Sequence, residues 1–140
     1  MKKFMITGLL LLVTIASLSF IIWQQQKTTL YIIGDSTVRN GDGSGSNQQW
    51  GWGSLIAPFF DTTAISVRNH AIGGRSSRTF INDGRWQRIL DELKPGDFVL
   101  MQFGHNDASP LDDTARARGT IKGIGDESKE IYNPITKNRK

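Results

Sequence analysis

Leu30-Tyr31-Ile32-Ile33-Gly34-Asp35-Ser36-Thr37-Val38 is the stretch on which the fold turns. Four apolar or aromatic residues in a row, Leu30 to Ile33, read as a short strand of a sheet covered on both faces. Gly34 breaks the strand, and Ser36 lands on the turn just past its carboxyl end. In parallel α/β sheets chemistry collects in the crevice outside those strand ends. A serine there has two readings. It caps a following helix, as serine often does, or it is a nucleophile. The second needs a group to take its proton and donors to receive the charge of the intermediate.

Two further strands share this plan. Ala64 to Asn69 reads as a strand with Ile65 and Val67 on one face, leaving through Asn69-His70-Ala71-Ile72-Gly73-Gly74-Arg75-Ser76-Ser77. Asp97 opens Phe98-Val99-Leu100-Met101-Gln102-Phe103, a third buried strand that exits into Gly104-His105-Asn106-Asp107. Between the first two strands, Trp50, Trp52, Leu55, Ile56, Phe59 and Phe60 recur at helical spacing, which predicts one irregular helix broken by Gly51, Gly53 and Pro58. Between the second and third, Trp86, Ile89, Leu90 and Leu93 form the apolar face of a second helix, stopped by Lys94-Pro95-Gly96. Strand and helix in alternation argue a parallel α/β sheet. The 40–47 stretch is glycine-rich but lacks the G-x-G-x-x-G spacing of a phosphate cradle, so it reads as a surface loop. From Asp112 to Lys140 the chain is polar and glycine-dotted, a surface excursion with one turn of helix near Asp113 to Ala117.

Ahead of the first strand, Met1-Lys2-Lys3 precedes 20 uncharged residues, 4–23. Such a segment is an export signal to be cleaved or a membrane anchor to be kept, and the two lysines place the rest of the chain outside the cytoplasm. The expected organisation is therefore a signal or anchor over 1–23, a linker over 24–28 and one domain over 29–140. The product is expected to be secreted or held on the outer face of the cytoplasmic membrane. The chain has 140 residues and a formal net charge of +4, but without Lys2 and Lys3 the excess is only +2. With no basic stripe among aromatics, nucleic acid is excluded as a partner. Cysteine is absent, which removes disulfides, thiolate metal sites and a cysteine nucleophile.

Three strand exits thus deliver polar loops to one edge of the sheet. They offer the Ser36 hydroxyl, the Gly74 backbone N–H and the Asn106 side-chain amide. A hydroxyl with two pre-aimed donors is what acyl transfer requires. Gly34-Asp35-Ser36-Thr37, Gly73-Gly74-Arg75-Ser76 and Gly104-His105-Asn106-Asp107 resemble, in order, the first three blocks of the SGNH (GDSL-type) hydrolases. Within that superfamily they are most similar to the rhamnogalacturonan acetylesterases, as is the run Arg116-Ala117-Arg118-Gly119-Thr120-Ile121-Lys122-Gly123. The resemblance implies a flavodoxin-like three-layer sandwich with a parallel sheet. It implies Ser36 as nucleophile, and the N–H groups of Ser36 and Gly74 with the Asn106 amide as oxyanion hole. It also implies removal of acetyl groups from a pectin-like polysaccharide, with no metal or other cofactor. The alternatives are another SGNH esterase or lipase, or a non-catalytic carbohydrate-binding protein in which Trp50 and Trp52 stack on sugars.

The chain departs from that family in two respects. The family's base is a histidine in a late Asp-x-x-His block, which is absent here; the only histidines, His70 and His105, match the second and third blocks instead. The sheet also stops after three strands where the resemblance implies five, leaving Phe98 to Phe103 as an apolar edge. The expectation is the N-terminal part of a longer enzyme, poorly active by itself.

Overall fold

The computed structural model describes residues 8, 11–17, 27–113, 115–133 and 137–139. Residues 11–17 are helical and exposed, and among the described residues no helix is long and apolar enough to cross a membrane. The signal or anchor expected over 1–23 falls mostly outside the described residues.

The central strand is β1 (Thr28–Gly34), flanked by β2 (Ile65–Asn69) and β3 (Phe98–Gln102) in the order β2-β1-β3, all parallel. Each is slightly offset from its apolar run, but all three expected strands are present. Alternate residues of β1 supply two cores. Leu30 and Ile32 pack with Val38 and Ala71 on one face, under Trp52, Ile56, Phe60, Ile65 and Val67. Tyr31 and Ile33 pack with Phe80 and Ile89 on the other, under Trp86, Leu93, Val99 and Phe103. The sheet is therefore sandwiched between two layers, and β1 is buried on both sides as its run of apolar residues requires.

The layers differ from expectation in three places. The aromatic stretch is not one helix but two 3-10 turns, Trp52–Ser54 and Ala57–Phe59. The cause is close approach of backbones. A Cβ on Gly51 would stand 2.2 Å from the carbonyl carbon of Val38, so the segment lies directly on the Ser36 turn. It is bonded there by Trp52 N–H to Thr37 O (3.1 Å) and Gly53 N–H to Val38 O (2.9 Å). The second layer holds an unexpected helix, α1 (Ser77–Asn82), before the expected α2 (Arg85–Glu92). Ser76 caps α1 by accepting from Thr79 N–H, while the Thr79 hydroxyl accepts from Ser76 N–H, and Phe80 drives the helix into the core. In α2 Ile89 is buried, but Leu90 stays 43 % exposed. The third difference is β3, whose apolar run reads as buried: it is the exposed apolar edge expected of a sheet that stops at three strands, with Phe98 62 % and Met101 58 % exposed.

After β3 the turn of helix expected near Asp113 to Ala117 is reduced to one hydrogen-bonded turn, closed by Ala117 N–H on Asp113 O (2.9 Å). It ends in an unexpected two-residue antiparallel ladder, β4 (Tyr132–Asn133) with β5 (Asn138–Arg139).

Gly34 holds β1, β3 and the Ser36 turn together. A Cβ there would lie 2.5 Å from Gln102 O and 2.4 Å from Val38 Cγ2. Replacing it with alanine gains about 0.4–1 kcal/mol from a less free unfolded chain. Overpacking against a strand carbonyl costs more, about 1–3 kcal/mol. Gly34→Ala is expected to lower the urea midpoint of the chain with its m-value unchanged.

Candidate active site

The Ser36 turn is built by Asp35, which is 1 % exposed. Its Oδ1 accepts from Thr37 N–H (2.9 Å) and from the Thr37 hydroxyl (2.8 Å), and its carbonyl accepts from Val38 and Arg39 N–H (3.1 and 3.0 Å). The residue between, Ser36, is lifted to the crest of the turn and half-buried. Its hydroxyl makes no hydrogen bond to any described residue.

The second loop is drawn alongside β1 beyond the strand ladder. His70 N–H donates to Ile32 O (2.8 Å) and Ile72 N–H to Gly34 O (3.1 Å). This brings the paired glycines against the serine: a Cβ on Gly73 would stand 3.6 Å from Ser36 Cβ. Gly74 has φ +73°, a left-handed conformation that few side chains tolerate. The Arg116 guanidinium lies over it, 3.4 Å from where a Cβ would be, with no hydrogen bond or ion pair to a described residue.

The third loop is tied down by Asp107. Its Oδ2 accepts from Gly104 N–H (3.1 Å) and its Oδ1 from Ser77 N–H (3.0 Å) and the Ser77 hydroxyl, fastening the loop to the start of α1. Its carbonyl accepts from Thr120 N–H (3.1 Å), which fastens the segment after it. Asn106, inside this loop, is 6 % exposed. Its Nδ2 donates to Arg75 O at 3.0 Å and makes a long contact with Asp35 Oδ2 at 3.4 Å. Its Oδ1 accepts from Arg118 Nη1 at 2.9 Å. One amide therefore joins all three loops. Ser36, Gly74 and Asn106, expected to converge, belong to neighbouring loops at one edge of the sheet.

Neither histidine bonds to the serine. His70 packs its ring against Tyr31, centroids 5.7 Å apart. Burial pushes its pKa below the usual imidazole value, and Arg68, Arg39 and Arg88 add to that against an opposing pull from Glu92. It is neutral at pH 7. His105 is exposed. A cavity of about 460 Å³ lined by Lys27, Tyr31, Ser66 and Glu92 lies toward the amino ends of β1 and β2, away from Ser36.

Asp107 and Arg118 are not singled out by spacing alone. Both lie in stretches that carry the family resemblance, but their partners are distant in sequence and become visible only when the loops meet.

Comparison with known proteins shows the family. Residues 30–139 match the model of the GDSL-like lipase/acylhydrolase family. The rhamnogalacturonan acetylesterase of Emericella nidulans is 40% identical over 108 residues, covering 76% of this chain and 40% of that protein. The probable rhamnogalacturonan acetylesterase YesY of Bacillus subtilis is 49% identical over 81 residues, covering 57% of this chain and 36% of its own length. The crystal structure of the B. subtilis protein YxiM superposes with a TM-score of 0.56 at 39% identity, over 66% of this chain and 27% of that one. The chain thus spans well under half the length of these relatives. With its parallel sheet, its three loops in order and a match over nearly all of its length past residue 29, the chain belongs to the GDSL-like lipase/acylhydrolase family.

Proposed function

We propose that this chain carries the nucleophile and oxyanion hole of a serine acetylesterase acting on an acetylated pectic polysaccharide, outside the cytoplasm. The single observation that supports it most is the Asn106 amide, buried yet linked to both the Ser36 turn and the Gly73-Gly74 loop. In this reading Ser36 Oγ attacks the acetyl carbonyl carbon and gives up its proton to a base. The carbonyl electrons move onto oxygen, held by the N–H groups of Ser36 and Gly74 and by the Asn106 amide. Of the two amide N–H bonds, the one at 3.0 Å from Arg75 O is committed, whereas the one at 3.4 Å from Asp35 is weakly held and is the one left to an oxyanion. Collapse expels the sugar oxygen, which takes a proton, and water then releases acetate from the acyl-serine.

The reading makes residues 4–23 the export signal or anchor of the product. It assigns no metal and no cofactor. The proton acceptor is neither histidine in the contacts described above, so a test on this chain supplies imidazole as base. With p-nitrophenyl acetate and imidazole the chain is expected to gain one acetyl group, mapped to Ser36 by peptide mass spectrometry, and to release acetate from acetylated rhamnogalacturonan. Faster turnover of long-chain esters would assign a lipase-like esterase instead.

Trp50 favours a second reading. It is 54 % exposed on the segment that lies on the Ser36 turn, as a sugar-stacking ring would be. Binding of the polysaccharide with no acetyl transfer under any base would assign a carbohydrate-binding role.

A further inference from the structure

A primary amide serves an oxyanion only when it faces the right way, because its two ends differ: one donates and the other accepts. At Asn106 the N–H end faces Arg75 O and Asp35 Oδ2, and the oxygen end is held by Arg118. The guanidinium has donors alone, so only the amide oxygen can face it, and it does so at 2.9 Å. Turning the amide over would set its N–H bonds against the cation and its oxygen against Arg75 O and the Asp35 carboxylate. Both contacts are repulsive.

Arg118 is itself held. Its Nε stands 3.4 Å from Asp113 Oδ2, and Asp113 builds the turn before it by accepting from Ala115 and Arg116 N–H (3.0 and 3.2 Å). Ala117, buried at 2 %, takes φ +51° to bring the chain round. That conformation costs an alanine about 1–2 kcal/mol. A strained residue ahead of Arg118, and a carboxylate behind it, aim one guanidinium at one amide oxygen.

We propose that Arg118 is the positioning residue of this site, fixing through a charge-assisted hydrogen bond which face the Asn106 amide turns toward Ser36. The inference rests on the reading of Asn106 as an oxyanion donor. It adds that the oxygen end of the donor amide is held from outside its own loop, by Arg118.

The test uses two readouts on the chain. The first is the rate of Ser36 acetylation by p-nitrophenyl acetate with imidazole. Arg118→Met is expected to slow it by at least about tenfold, and by no more than the 10²–10³-fold of losing the amide itself. Arg118→Lys, which keeps a cationic donor, restores part of the rate. In an Asn106→Ala background Arg118→Met has no further effect, because there is nothing left to orient. Equal slowing in both backgrounds, or none in the parent, overturns the proposal. The second readout is the Asn106 side-chain NH₂ pair by ¹⁵N NMR. In the parent it is expected to be split and slow to exchange with solvent, and in Arg118→Met to approach the exposed asparagines. An unchanged pair overturns the proposal even if a variant is too unstable for kinetics. A serine that is never acetylated, beside an amide that still answers to Arg118, retires the esterase reading and leaves the positioning role standing.

Discussion

Ser36→Ala is expected to take up no acetyl group from p-nitrophenyl acetate under any concentration of imidazole, while unfolding at the same denaturant midpoint as the parent. The two halves of that result have separate causes, and the unchanged stability follows from a hydroxyl with no hydrogen bond to a described residue. Its removal costs the fold nothing beyond the ±0.5 kcal/mol or so of an ordinary surface change. It removes the only atom to which the acetyl group can be transferred in this mechanism. Ester loss in solution need not fall to zero. Donors aimed at the carbonyl oxygen still assist direct attack by water, and in enzymes stripped of their nucleophile such residual catalysis is about 10³–10⁴-fold over water. The decisive quantity is therefore the covalent adduct, read by intact mass, and not the release of chromophore. An adduct of undiminished yield in Ser36→Ala would move the nucleophile elsewhere.

Asn106→Ala should slow acetylation of Ser36 by about 10²–10³-fold, or about 2.7–4 kcal/mol of transition-state stabilisation. Here the fold suffers too. Arg75 O, Asp35 Oδ2 and Arg118 Nη1 all lose a partner at a site where Asn106 is 6 % exposed. Leaving buried polar groups unmatched costs about 1–3 kcal/mol of stability. The two losses separate by condition. The rate is measured well below the unfolding midpoint of the variant, where the folded population is complete, and stability by urea titration. A rate equal to that of the parent, with the loss of stability intact, would make Asn106 a structural strut and remove it from the chemistry.

Much of the fold and the site is legible from the residues, for reasons that also explain the misses. Ile32 and Ile33 sit in an unbroken apolar run, and only a strand covered on both faces puts neighbouring side chains into opposite cores, as Ile32 and Ile33 are. The three strand exits come directly from the three runs. Helix α1 escapes notice because its cap pairs Ser76 with Thr79 in place of the usual acidic or amide residue three positions on. The aromatic stretch shows helical spacing, but Gly51 and Gly53 serve a backbone-to-backbone contact that periodicity does not report. The exposure of β3 marks a different limit. An apolar run states what a strand can bury, not what lies beside it. The grip of Arg118 on Asn106 and of Asp107 on Ser77 is tertiary, joining residues whose meeting no local pattern encodes.

The order β2-β1-β3 has a consequence for how the chain is born. The middle strand is synthesised first, and its first partner in β2, Ile65 opposite Thr28, lies 37 residues later. At ribosomal rates of about 5–20 residues per second, β1 waits about 2–7 s before a neighbour exists. During that interval the most apolar segment of the sheet is a bare template with two open edges, and nothing local can cover it. The edge facing β2 closes only with the arrival of Ile65 to Asn69.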